Sequence, residues 1–131
     1  MVGRVYGKKA RRTVAALARI YGADRYVLDD DELGRVVAHS EAFYAALPAR
    51  FRLVALIVLA LFRWSSRLVA PRRRAFLDKS LAEQTRVYER WFAGDGYVAL
   101  LLGQILHLTF AGSVYSLPRI QAAIGYRPKA P

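Results

Sequence analysis

With 131 residues, 55% of them hydrophobic, the chain is long enough to build one domain around a real apolar core. It has no cysteine, which excludes disulfides, thiolate zinc sites, iron–sulfur clusters and haem attached through CxxCH. Lysine and arginine total 21 against 10 acids, and the net charge of +11 suits an acidic partner, an anionic membrane surface or nucleic acid.

That charge is uneven: residues 1–25 carry +6, residues 29–41 carry −4, and residues 50–74 carry +7 without one acid. Lys8, Lys9, Arg11 and Arg12 precede Thr13-Val-Ala-Ala-Leu-Ala18 in an order like the start of a twin-arginine export signal. Arg19 interrupts the apolar stretch after about six residues, short of the usual ~7–15, and no small-residue cleavage site follows. A mature helix over about 9–21 is expected instead, with Val14, Leu17, Ala18 and Tyr21 at helical spacing and Gly22 as its stop. Without an export signal, a location in the cytoplasm or on the inner face of the membrane is expected.

The cluster Asp29-Asp30-Asp31-Glu32 sits where a second helix would begin, since a helix N-terminus favours negative charge. Leu33, Val36, Val37, Tyr44 and Leu47 form its apolar face, and Pro48 closes it or opens the next. The third helix, about 49–69, holds the ten residues Leu53–Phe62 with no polar side-chain atom. A run apolar on every side reads as a buried central helix or as a membrane span. Ten residues cover about 15 Å, half the hydrocarbon thickness, so the buried helix is the preferred expectation. Pro71 and Arg72-Arg73-Arg74 mark a connection.

Ser80-x-x-Glu83 is a capping box that starts a fourth helix, with Leu81, Tyr88 and Phe92 on one face and Trp91 adjacent. Gly94-Asp95-Gly96 ends it, and a leucine-rich fifth helix follows over about 97–111. A last short helix begins near Ser116-Leu117-Pro118, with Ile120, Ala123 and Ile124 expected inward and Gly125 as the stop. No strand alternation appears at length. The expected fold is all-α: a compact bundle of about five to six helices in a single domain over residues 1–131.

Candidate chemistry is sparse. The two histidines, His39 and His107, are far apart, and neither has a histidine or carboxylate three or four residues on in its own helix. Glu-x-x-His pairs and HExxH are absent, so no metal or catalytic site is expected. His107 reads as a hydrogen-bonded buried histidine or an interface residue. Gly94-Asp-Gly96-Tyr-Val-Ala99 matches GxGxxA, but a capped helix precedes it where a dinucleotide site needs a strand. Ala99, Gly103, His107 and Ala111 make a small-residue stripe for close helix packing, within the molecule or against a partner. Arg52, Arg63 and Arg67 cluster on one side of the third helix, as a solvated face, a docking patch or a phosphate-contacting surface. No recognised nucleic-acid motif accompanies them, and nucleic acid is disfavoured.

Ser80-Leu-Ala-Glu-Gln-Thr-Arg-Val-Tyr-Glu-Arg-Trp91 resembles the S-x-E-E-R-x-x-Y-L-x-x-W helix of the gluconate 2-dehydrogenase subunit 3-like family, matching at Ser80, Glu83, Arg86, Tyr88 and Trp91. The ending Val114–Pro128 is similar to that family's Y-Y-S-D-P-x-x-W-x-x-I-G-Y-x-G-P at Tyr115, Ser116, Pro118, Ile124, Gly125, Tyr126 and Pro128. Arg11-Arg12-Thr13-Val-Ala-Ala-Leu17 likewise resembles its opening R-R-T-L-x-A-L helix. The resemblance implies a non-catalytic accessory subunit that binds and stabilises a flavin-dependent oxidoreductase of the glucose–methanol–choline type. It implies that no cofactor is held by this chain and that FAD belongs to the partner. Arg63, Arg67, His107, Tyr115, Arg119 and Tyr126 are the candidate partner-interface residues. The alternative is a basic helical module on an anionic membrane surface or nucleic acid.

Overall fold

The computed structural model describes residues 6–22 and 26–125. Seven α-helices follow one another among them: α1 (Lys8–Gly22), α2 (Asp30–Ala45), α3 (Ala49–Ser65), α4 (Leu81–Phe92), α5 (Tyr97–Leu108), α6 (Ala111–Val114) and α7 (Pro118–Ala123). Short 3-10 turns lie at Ser66–Leu68 and Phe76–Asp78, and no strand occurs among the described residues. The expected all-α bundle is what forms.

The start signals act as their chemistry requires. Asp29 accepts from the Glu32 backbone N–H at 2.8 Å while the Glu32 carboxylate accepts from the Asp29 N–H at 3.3 Å, so two orphan donors at the start of α2 are satisfied. Ser80 and Glu83 repeat the reciprocal pair at α4, at 3.2 and 2.8 Å. Pro118 opens α7 in the first turn, where its missing N–H costs nothing.

Helix α1 packs on α2, α3, α4 and α6, which makes it the hub. Its Val14, Leu17 and Ala18 are completely buried, as the helical spacing predicts. Around it lies an aromatic cluster in which the ring of Phe62 meets Phe76 at 4.8 Å and Trp91 at 5.5 Å, both edge-to-face. A polar seam joins α2 to the end of α5. Ser40 Oγ donates to the Thr109 carbonyl at 2.5 Å, leaving it to accept from the Tyr6 hydroxyl at 2.6 Å. Burial pushes the Tyr6 phenol well above its ordinary value, so it holds its proton as a donor. His39 Nδ1 and Ser113 Oγ meet across α2 and α6 at 2.9 Å.

Three expectations are corrected. Helix α3 is not central: only Ala55, Val58, Leu59 and Phe62 along it are buried, and its other side is open. The fifth helix stops at Leu108, because Phe110 leaves helical geometry (φ −137°, ψ −36°) and drives its ring into the core. In the last helix Ile120 is buried, but Ala123 and Ile124 are exposed, since α7 is too short to keep a second turn against the core. Gly96, with φ +98°, sits at the N-terminal boundary of α5 in a conformation that favours glycine.

Because Phe62 is fully buried and touches two other rings, Phe62→Ala should destabilise the fold by about 3–5 kcal/mol. Urea unfolding followed by circular dichroism measures this; a loss below about 1 kcal/mol would show that the cluster is not the core's centre.

Candidate docking surface

The apolar surplus of α3 has a direction. Leu53, Ile57, Leu61, Trp64 and Leu68, spaced by three or four residues, are 43–59% exposed and lie along one line of the helix. Val54 is exposed beside them. Helix α5 packs against α3 and is itself open over most of its circumference: only Gly103 and Leu106 are buried. Tyr97, Val98, Leu100, Leu101 and Leu108 all face solvent. Together the two helices carry an apolar surface of a kind that soluble monomers rarely leave uncovered.

By length and composition, residues Tyr97–Val114 could cross a membrane, and 39% of that window is buried within the protein. As folded, the run is broken at Thr109–Phe110, and the 12 residues of α5 cover about 18 Å, short of the ~30 Å hydrocarbon core.

Two grooves flank α5. Between α3, α4 and α5 a cavity of about 320 Å³ is lined by Leu61, Trp64, Leu68, Val87, Trp91 and Leu102, with Arg90 at its edge. Between the end of α4 and α5 a second, of about 390 Å³, is lined by Phe92, Gly94, Leu100, Gly103, Gln104, His107 and Leu108. The small-residue stripe explains how α4 comes so close. A Cβ at Gly103 would lie 3.5 Å from the Phe92 ring, and one at Gly94 would meet the Ala99 methyl at 3.0 Å. The stripe therefore packs within the molecule. The GxGxxA segment joins helix to helix, with no preceding strand to form a phosphate cradle.

The sequence candidates fall in different places. His107 is exposed on α5 in the second groove, edge-on to Tyr21 at 5.6 Å and Phe110 at 5.5 Å, so the buried-histidine reading is replaced by the surface one. Tyr115 meets the Tyr21 hydroxyl at 3.0 Å. Arg63 is half-buried and donates to Thr13 Oγ1 at 3.2 Å; desolvation lowers its guanidinium below the ordinary value, and it remains a cation. Arg67 is exposed. Arg119 donates to both carboxylate oxygens of Glu32, at 3.0 and 2.9 Å, and to the Val27 carbonyl at 2.8 Å, which ties α7 to the start of α2. Tyr126 lies outside the described residues. Of the five described candidates, His107 and Tyr115 both pack on the Tyr21 ring, while Arg63 and Arg119 are taken up by Thr13 and Glu32.

The outward residues of α3 and α5 were not among the sequence candidates. A helix apolar all round does not reveal which side a neighbour covers. The hydroxyl–imidazole contact of Ser113 and His39 was also invisible to spacing, being 74 residues apart. Among the described residues no group of three or more His, Asp or Glu side chains is placed to hold a metal. Buried beside the first groove, the Trp91 indole N–H has no hydrogen-bond partner among the described residues. No family model, curated protein or solved structure matches the chain.

The Glu32–Arg119 pair has a pH signature. The hydrogen bond from Arg119 holds the Glu32 carboxyl below its ordinary value of 4.5. A carboxyl depressed on folding stabilises above its unfolded value, and that contribution is lost as pH falls through the folded value. Glu32→Gln should therefore lower stability at pH 7 and match the parent near pH 2.5. Urea midpoints at the two pH values test it, and an equal difference at both would exclude an ionic contribution.

Proposed function

We propose that the chain is a non-catalytic accessory subunit that binds and stabilises an FAD-dependent oxidoreductase of the glucose–methanol–choline type. The observation that carries this reading is the apolar groove between α4 and α5, which none of the described residues fills. Helix α4 walls it through Phe92, and α4 is the segment that resembles the gluconate 2-dehydrogenase subunit 3-like family. The matched residues themselves have internal work: Ser80 and Glu83 cap the helix, and Tyr88 and Trp91 pack on the core. Such residues fix the shape of a small scaffold, and the groove beside them offers a seat for an apolar element of a larger partner. The flavin belongs to that partner, along with the chemistry it supplies.

Co-expression with a glucose–methanol–choline type flavoprotein from the same genome, followed by size exclusion, tests the reading. One co-eluting peak is expected, with a catalytic subunit that loses activity or solubility when expressed alone. Leu100 is 61% exposed on the groove, so Leu100→Glu should leave thermal unfolding within a few degrees of the parent. It should weaken the complex by at least about tenfold, since a carboxylate would have to be desolvated on binding. Two separate peaks with a fully active catalytic subunit would overturn the proposal.

A further inference from the structure

The outer stripe of α3 is separate from the α4–α5 groove, and it has its own chemistry. Leu53, Ile57, Leu61 and Trp64 run along about 17 Å of α3, and Leu68 extends the stripe into the 3-10 turn that follows. Arg50 stands exposed at the N-terminal end of the stripe and Arg67 exposed beside its C-terminal end, whereas Arg63 turns inward to Thr13. Arg72, Arg73 and Arg74 follow, exposed, in the connection after the helix. No Asp or Glu occurs between Glu41 and Asp78, and the fold brings Glu83 to Arg74 at 3.7 Å, at the far end of the band.

We propose that this face seats the protein on an anionic phospholipid bilayer, with α3 lying in the interface plane. Three features select that occupant. The apolar stripe is continuous, giving a surface that enters the acyl boundary; a phosphate backbone offers nothing to cover it. The exposed arginines bracket the face, Arg50 at one end and Arg67, Arg72 and Arg73 at the other, which matches a uniformly charged plane better than a single acidic spot. Trp64, 59% exposed on the stripe, has the amphipathic ring that prefers the headgroup level. A helix of this kind lies on the membrane and does not span it, in agreement with the 17 residues of α3 and the arginines at both its ends. The inference goes beyond the accessory-subunit reading and stands without it.

The test uses the full chain with vesicles of phosphatidylcholine and phosphatidylglycerol at 7:3, against pure phosphatidylcholine. Cosedimentation should occur with the anionic vesicles, fall by about tenfold between low and high salt, and be much weaker on the neutral ones. Trp emission should shift to the blue and be quenched by brominated acyl chains, and Trp64→Phe should abolish both effects while Trp91 remains. The triple substitution Arg67→Glu, Arg72→Glu, Arg73→Glu changes only exposed side chains and should abolish binding with an unchanged circular dichroism spectrum. No cosedimentation at low salt would overturn the inference, as would binding with no change in Trp64 emission. Equal affinity for a double-stranded oligonucleotide or heparin would also overturn it, leaving only a general polyanion surface. Leu100→Glu should leave vesicle binding intact, so a failure here is distinguishable from a failure of the partner complex.

Discussion

The hydrogen bond from Ser40 to the Thr109 carbonyl decides how the apolar second half is divided between inside and outside. A helix end leaves carbonyls without partners, and a buried one needs a donor from elsewhere. Ser40 supplies that donor from α2, itself backed by Tyr6. With the break secured, Phe110 enters the core and α6 docks on α1 and α2. An unbroken helix over residues 97–114 would be one apolar rod of about 27 Å with no charged side chain along it. The clamp fixes the C-terminal half of that run inside the protein and leaves α5 on the surface.

The placement of α1 explains why α3 and α5 remain half-covered. Its buried face is shared among α2, α3, α4 and α6. Helix α3 gives it only Ala55, Val58, Leu59 and Phe62, which fill the available space with the Phe76 and Trp91 rings. Everything beyond that has no facing element within the described residues. The surplus is therefore a property of the fold as built: two of its most apolar helices meet each other edge to edge and turn their remaining sides outward.

Capping chemistry made most of the architecture readable in advance. Asp29 with Glu32, Ser80 with Glu83, and Pro118 each mark a helix start through local hydrogen bonding or a missing donor, and local rules are written in short stretches of sequence. The end of α5 was not readable, because its break depends on Ser40, 69 residues away. The orientation of α3 was hidden for a different reason: ten consecutive apolar residues carry no polar marker to show which side faces water. The surface was legible in its charges and not in its shape. The arginine run stood out in the sequence, whereas the stripe it borders depends on which neighbours α3 lacks. Arg119 shows the reverse, a prominent basic residue that the fold commits to Glu32.

The open face of α3 and α5 also bears on the life of the free chain in a cell. A folded protein that displays Leu53, Ile57, Trp64, Leu100 and Leu108 to water presents the signature that quality-control machinery reads as damage. Newly made copies would compete between chaperone capture, proteolysis and whatever covers that face. Their steady-state number would then follow the supply of the covering surface more closely than the rate of their own synthesis.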